Sequence, residues 1–302
     1  MIYKHRKEPN ELCILKNLNT RMSLDEKDKQ YYFNLKKGYE GEVLFDSLLE
    51  KLSCECIILN DLLLKQNNTL FQIDSLLITR DSLYLYEVKN YEGDYYYDSD
   101  RLYKKNQKEI SNPLIQLNRT ESLLRQLLKH LGYPTSIFAS VVFINPAFTL
   151  YQSPLNKPFI FPTQINRHLQ ELNTVSSKLN EDHKRLADKL LSLHVTDSPY
   201  RELPSYEYKE LRKGVVCGEC LSYLISVEGM QFLCLTCGHR EEIETAVMRN
   251  VRTFKLLFPD NKLTANVIHE WCNEIVTKRR ITRILQKNFK VKGVHQWTYY
   301  EE

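Results

Sequence analysis

The residues with the clearest capacity for chemistry are an acid and a base two positions apart, Glu87 and Lys89. Side chains alternate along a β-strand, so both point to one face of their predicted strand while Val88 points away. Asp74 lies on the preceding predicted strand, and the short connection between the two strands sets it roughly opposite Glu87. Two carboxylates are therefore expected to converge on one point, beside a lysine.

Such a set suits a hard divalent cation. Mg²⁺ and Mn²⁺ take oxygen ligands and leave other positions to water and phosphate oxygens. We expect Asp74 and Glu87 to be ligands, with the carbonyl of Val88 as a third. The metal would activate a water, and Lys89 would orient that water or stabilise the transition state. Phosphodiester hydrolysis is the reaction that these groups perform well.

Alternating helical and strand patterns surround these residues. Tyr39 to Ser53 predicts a helix behind Gly38, and Asn112-Pro113 opens a second helix that ends at Gly132. Apolar and β-branched runs predict strands at Cys56 to Leu64, Leu70 to Thr79, Ser82 to Val88 and Ser136 to Ile144. The order helix, three strands, helix, strand predicts an α/β (α+β) core with a central mixed sheet flanked by helices.

Four segments in a fixed order carry a family resemblance: Gly38-Tyr39-Glu40-Gly41-Glu42, Gln72-Ile73-Asp74, Tyr86-Glu87-Val88-Lys89-Asn90-Tyr91-Glu92-Gly93 and Asn112-Pro113-Leu114-Ile115-Gln116. Over residues 36 to 150 they resemble the NERD (nuclease-related) domain of the PD-(D/E)xK nuclease superfamily. The resemblance implies a restriction-endonuclease-like fold, with Glu42 and Gln116 as site residues on the two helices. It also implies Asp74 and Glu87 as metal ligands and Lys89 as the catalytic lysine. Ser75 stands where members often carry histidine, a departure that touches no proposed ligand.

A second candidate site is a pair of cysteine pairs. Cys217-x2-Cys220 and Cys234-x2-Cys237 are separated by thirteen residues, a spacing that lets four thiolates surround Zn²⁺ tetrahedrally. Closed four-thiolate sites are structural, so zinc is expected to hold together a ribbon with too little core to fold alone. His239 is interpreted as a surface residue and not as a ligand.

The C-terminal segment is strongly basic. From Ile275 to Tyr300 there are seven Lys or Arg and no Asp or Glu, which creates a local positive field. The last of three predicted helices, Thr277 to Phe289, lies in this segment, and a three-helix unit with a basic last helix is compatible with a helix-turn-helix or winged-helix domain. The candidate nucleic-acid-binding residues on the last helix are Arg279, Arg280, Arg283 and Lys287.

Pattern changes divide the chain into five predicted parts. They are an N-terminal arm or peripheral helix (1–37), the nuclease-like domain (38–196), a linker (197–212), the zinc ribbon (213–242) and the three-helix domain (243–302). Neither a signal peptide nor an apolar run of about 20 residues is present, which predicts a cytoplasmic protein without a membrane partner. With 42% hydrophobic and 26% charged residues, the composition excludes wholesale disorder.

These features favour a metal-dependent nuclease, more readily of DNA, whose C-terminal modules bind nucleic acid. Two alternatives stay open: a catalytically silent nucleic-acid-binding or scaffolding protein, and an RNA-directed nuclease. The sequence also leaves a homo-oligomer and a regulatory protein partner open.

Overall fold

The computed structural model describes residues 1–175, 178–196 and 202–301. The described residues form two compact units, the first with residues 1–8, 33–175 and 178–196 and the second with residues 9–32 and 202–301. The predicted arm, residues 1–37, is thus divided between the units. Residues 197–201 of the predicted linker lie outside the described residues.

The strands and helices up to residue 196 are β1 (Ile2–Lys4), α1 (Asn10–Arg21), α2 (Glu26–Leu49), β2 (Ile57–Gln66), β3 (Thr69–Ile78), β4 (Ser82–Lys89), β5 (Gly93–Asp98), β6 (Arg101–Lys104), β7 (Glu109–Ile110), α3 (Pro113–Leu131), β8 (Ser136–Phe143), β9 (Phe148–Tyr151), β10 (Phe159–Ile160), α4 (Ile165–Thr174) and α5 (Glu181–Ser192). Those after residue 202 are β11 (Ile225–Glu228), β12 (Gln231–Cys234), β13 (Arg240–Glu242), α6 (Ile243–Leu257), α7 (Ala265–Trp271), α8 (Lys278–Asn288), β14 (Lys290–Lys292) and β15 (Tyr299–Glu301).

The first unit is built on a six-stranded mixed sheet in the order β1-β2-β3-β4-β8-β10. Its central strands β2, β3 and β4 are antiparallel, while β1, β8 and β10 pair in parallel with their neighbours. Alternate residues fill two cores: one contains Leu85 with Leu124 of α3, the other Tyr86 with Phe45 of α2. The predicted mixed sheet flanked by helices is therefore confirmed.

Local signals explain α3 well and α2 poorly. The Asn112 side chain accepts the N–H of Leu114 at 3.0 Å, Pro113 is the first helical residue, and Gly132 caps the end with φ 82°. By contrast, α2 begins at Glu26 and not behind Gly38. An interior glycine costs about 1 kcal/mol of helix stability but does not end a helix, so the predicted start was wrong.

The tyrosine-rich stretch after Lys89, for which the sequence patterns predicted no strand, contains β5. It belongs to a second, four-stranded sheet in the order β7-β6-β5-β9. Tyr95 and Tyr97 are buried in this sheet. They join Phe143 and Phe148 in the core of the first unit.

The second unit has one core shared by all its parts. Ile14 and Leu18 of α1, Phe232 of β12 and Trp271 of α7 belong to the same buried cluster as helices α6 and α8. Strands β11, β12 and β13 form an antiparallel sheet, β14 and β15 form a hairpin, and Tyr300 of that hairpin bridges to Leu263 before α7. The predicted ribbon and three-helix domain therefore pack as one body, with α1 as an added helix. No helix in the described part of the chain is long and apolar enough to cross a membrane.

Candidate active site and metal centre

Asp74 lies where the sheet is locally interrupted. Asn60 pairs with Ser75 and Leu62 with Ile73, but within these described strands Asp61 and Asp74 form no bridge. Asp61 has a left-handed backbone, φ 55°, which breaks the regular ladder at that position. The Asp74 carboxylate instead accepts the N–H of Val88, with 2.8 Å between Oδ2 and N. This bond holds Asp74 against the end of β4.

Glu87, Lys89 and Gln116 meet beside it. Lys89 Nζ is 2.6 Å from Glu87 Oε1 and donates to Gln116 Oε1 over 3.1 Å. The Val88 side chain packs into the core on the α2 side of the sheet, as strand alternation predicts. That the Val88 carbonyl is a metal ligand stays a prediction.

The five predicted site residues line one cleft of about 550 Å³: Glu42, Asp74, Glu87, Lys89 and Gln116. Helix α2 brings Glu42 to its wall, and α3 brings Gln116. The convergence that the motif order implied is therefore present in the fold. Lys104 and Ile110 of the second sheet complete the far wall.

Gly41 allows α2 to approach the end of β4. A Cβ atom at this position would lie 2.5 Å from Cβ of Asn90, closer than real contacts allow. Asn90 in turn donates to the carbonyl of Lys37 at 2.7 Å, which ties it to α2. Gly38 meets nothing within 4 Å. Of the two glycines in the motif, Gly41 is thus the one that close packing requires.

The cleft is rich in buried acid. Burial, followed by the charge of Asp74, raises the pKa of Glu42 to about 8 and that of Glu87 to about 8. Burial also raises the pKa of Asp74, against the opposing effects of Lys89 and the Val88 N–H. The Lys89 pKa is raised because Glu87 and Asp74 outweigh the burial that lowers it. Carboxylates so arranged, all oxygen donors, fit a hard divalent cation.

Arg6 and Asp46 also belong to this region, and the sequence analysis missed both. The Arg6 guanidinium is 2.6 Å from Glu42 Oε2 and 2.9 Å from Asp46 Oδ2, with its side chain only 3% exposed. Asp46 had a signal, since it follows Glu42 by one helical turn. Arg6 had none, because the contact depends on β1 joining the sheet next to β2.

The four cysteines of the second candidate site come together. Their sulfur atoms all lie within 4.8 Å of one another, and a tetrahedron with Zn–S bonds of about 2.3 Å needs sulfurs about 3.8 Å apart. Cys217 Sγ also accepts the N–H of Glu219 at 3.4 Å. After each pair the chain turns through a left-handed residue, Leu221 and Gly238. The cluster therefore fits the predicted structural zinc.

The predicted nucleic-acid-binding residues on α8 differ in their surroundings. Arg279 and Arg283 are exposed. Arg280 is half-buried and contacts the Met230 sulfur at 3.2 Å. Lys287 is exposed but pairs with Glu244 of α6 at 2.8 Å. The positive surface of α8 is thus carried mainly by its first two turns.

Comparison with known proteins agrees with this geometry. The family model described as NERD, nuclease-related domain, matches residues 37–144. That range contains α2 from Lys37 onward, strands β2 to β8 and α3. The first unit therefore contains a nuclease-related domain, as the sequence motifs implied. No curated protein and no solved structure matches the chain.

Proposed function

We propose that this protein is a nuclease that uses Mg²⁺ or Mn²⁺ to hydrolyse phosphodiester bonds, with DNA as the favoured substrate. The observation that carries the proposal is the convergence of Asp74, Glu87 and Lys89 in one open cleft, on a nuclease-related domain. Two carboxylates that can hold a divalent cation and a neighbouring lysine are the groups that this reaction needs. Their burial keeps the electrostatic interactions strong.

Asp74 and Glu87 would hold the ion, and the Val88 carbonyl would be a further ligand. When bound, the ion supplies an activated water and neutralises charge on the phosphate. Lys89 lies within 2.6 Å of Glu87, so its ammonium group is positioned to donate to an oxygen that gains charge as the bond breaks. The same ammonium also donates to Gln116 Oε1. Two acceptors, Glu87 and Gln116, thus hold the Lys89 ammonium in place, which lowers the reorganisation needed in the reaction step.

The second unit favours DNA through its helix α8 and the β14–β15 hairpin. Lys278, Arg279 and Arg280 occupy the first turn of α8, which contains no acid. The positive end of the helix dipole adds to these charges, which disfavours the isolated helix but attracts phosphate. The connection of the hairpin contains Trp297, which is 75% exposed, and strand β14 carries the exposed Lys290 and Lys292. A helix followed by a short basic hairpin suits a duplex groove and its flanking backbone.

The test is cleavage of supercoiled plasmid, linear duplex, single-stranded DNA and RNA by the full-length protein, with Mg²⁺, with Mn²⁺ and with EDTA. Asp74→Asn should abolish cutting, while Asp81→Asn, which removes an exposed acid from a turn of the same sheet, should preserve it. Cutting of RNA alone would favour the RNA-directed reading. Binding of nucleic acid without cutting in either metal would favour a silent scaffold.

A further inference from the structure

The N-terminal strand places Arg6 against Glu42 and the Asp74 backbone, two residues that line the candidate active-site cleft. Ile2 pairs in parallel with Ile58, and Lys4 with Leu59. The N-terminal ammonium group donates to the carbonyl of Cys56 at 2.8 Å. The segment before Arg6 is therefore fixed along the edge of the sheet. This segment lies outside residues 37–144, which the family model matches.

Arg6 and Lys4 replace the hydrogen bonds that the sheet lacks at its interruption. Lys4 Nζ donates to the carbonyls of Asn60 and Asp61 at 2.8 and 2.6 Å. Arg6 Nη2 donates to the carbonyl of Asp74 at 2.6 Å. Buried carbonyls need a donor, and here side chains of the N-terminal segment provide one. The backbone of the proposed metal ligand Asp74 is thus held by Arg6.

The same guanidinium holds two carboxylates of α2. Nη1 is 2.6 Å from Glu42 Oε2, Nε is 2.9 Å from Asp46 Oδ2, and Nη2 is 3.2 Å from Asp46 Oδ1. A planar guanidinium can make such fixed, forked contacts, and a lysine ammonium lacks that geometry. Arg6 therefore joins α2 to β3 at the level of Asp74.

We propose that Arg6 is a positioning residue of the active site, which fixes the Asp74 backbone and the Glu42 carboxylate around the divalent cation. Only the expected effect of Arg6 on cleavage rests on the proposed function. The binding of Mn²⁺ tests it independently of cleavage. The N-terminal eight residues are then part of the functional nuclease, and a protein begun at the matched domain would lack them.

The experiment compares full-length Arg6→Ala and Arg6→Lys with Lys7→Ala, which removes the same charge from the neighbouring exposed position. Mn²⁺ affinity is measured by calorimetry, and kcat and KM are measured on the substrate that the wild type cuts. Displacement of a catalytic group by about 1 Å can cost 10²-fold. We expect kcat to fall at least tenfold in Arg6→Ala with KM within about twofold, and the Kd for Mn²⁺ to rise at least threefold. Millimolar guanidinium should restore part of the Arg6→Ala activity.

Arg6→Lys covers the case in which Arg6→Ala does not fold. It keeps the charge and loses the fork, so it should fold and still show a weaker Mn²⁺ affinity than Lys7→Ala. An Arg6→Lys protein that matches the wild type in Kd and kcat would overturn the proposal. A wild type that binds Mn²⁺ but cuts nothing would defeat the proposed function, while the difference in Kd between the Arg6 and Lys7 variants would still decide the role of Arg6.

Discussion

Replacement of Lys89 by methionine separates the catalytic role of this residue from its structural one. The change keeps the length of the side chain and removes the ammonium group that lies 2.6 Å from Glu87 and 3.1 Å from Gln116. Loss of one positioned donor to a developing oxyanion lowers kcat by about 10² to 10³, or about 3 to 4 kcal/mol of transition-state stabilisation. We expect single-turnover cleavage by Lys89→Met to fall by that factor.

Lys89→Met should also lower the stability of the metal-free protein, and bound metal should offset this loss. Without Lys89, the carboxylate of Glu87 loses the ammonium group that lies 2.6 Å from it, and removal of one partner from a buried pair costs about 3 to 5 kcal/mol at most. The metal-free variant should melt earlier than the wild type. Saturating Mn²⁺ should raise the Tm of Lys89→Met by more than it raises the Tm of the wild type, because the ion then replaces the missing charge. Cleavage within threefold of the wild type, at an unchanged Tm, would refute the placement of Lys89 at the reacting centre.

Three further predictions concern packing, zinc and pH. Gly41→Val should lower the Tm of the first unit and impair cleavage, because the valine side chain would overlap Asn90. Gly38→Ala should be neutral or stabilise the protein by up to about 1 kcal/mol, because no atom lies within 4 Å of the added Cβ. Thermal melts of the two variants test this difference. The protein should hold one zinc per chain, as metal analysis can show. A strong chelator or Cys234→Ser should remove the zinc and unfold the second unit, which circular dichroism follows. A zinc-free protein with an intact second unit would contradict this prediction. The pKa values of Glu42 and Glu87 are raised from 4.5 to about 8, so the metal-free fold retains protons that the unfolded chain releases. As far as these two groups decide, its stability should therefore be fully present at and below pH 4.5 and should fall as pH rises from there to about 8. Thermal melts of metal-free protein should show this decline, and Glu87→Gln should reduce it.

The sequence predicted the convergence of the candidate site residues because their positions follow from local rules. Strand alternation set Glu87 and Lys89 on one face, and the hairpin brought Asp74 to them. The cap residues Asn112 and Pro113 fixed the start of α3, which places Gln116 in its first turn. Each of these steps depends on neighbours in the chain, and each appears in the structure.

The remainder depended on contacts between distant residues. Arg6 is 68 residues from Asp74, and no periodicity near Arg6 indicates that β1 joins the sheet. The arm was expected as one element, yet its strand completes the first unit and α1 fills the core of the second. Strands β5 to β7 were missed because tyrosine, glycine and aspartate together are also typical of polar connections. In the structure, Tyr95 and Tyr97 of β5 pack into the core of the first unit, a contact that the local sequence does not indicate.

The charge balance of the cleft connects these observations. Glu42, Asp46, Asp74 and Glu87 face two cationic side chains, Arg6 and Lys89. With every group ionised, two negative charges have no cationic side chain among these six residues. In a buried site, this imbalance is relieved either by proton uptake, which the raised pKa values of Glu42 and Glu87 express, or by a divalent cation. Binding of the proposed divalent cation is therefore expected to release protons from the cleft. Arg6 sets this excess at two: without it the fully ionised cleft would carry an excess of three negative charges, and Glu42 would lose the guanidinium that lies 2.6 Å from its carboxylate.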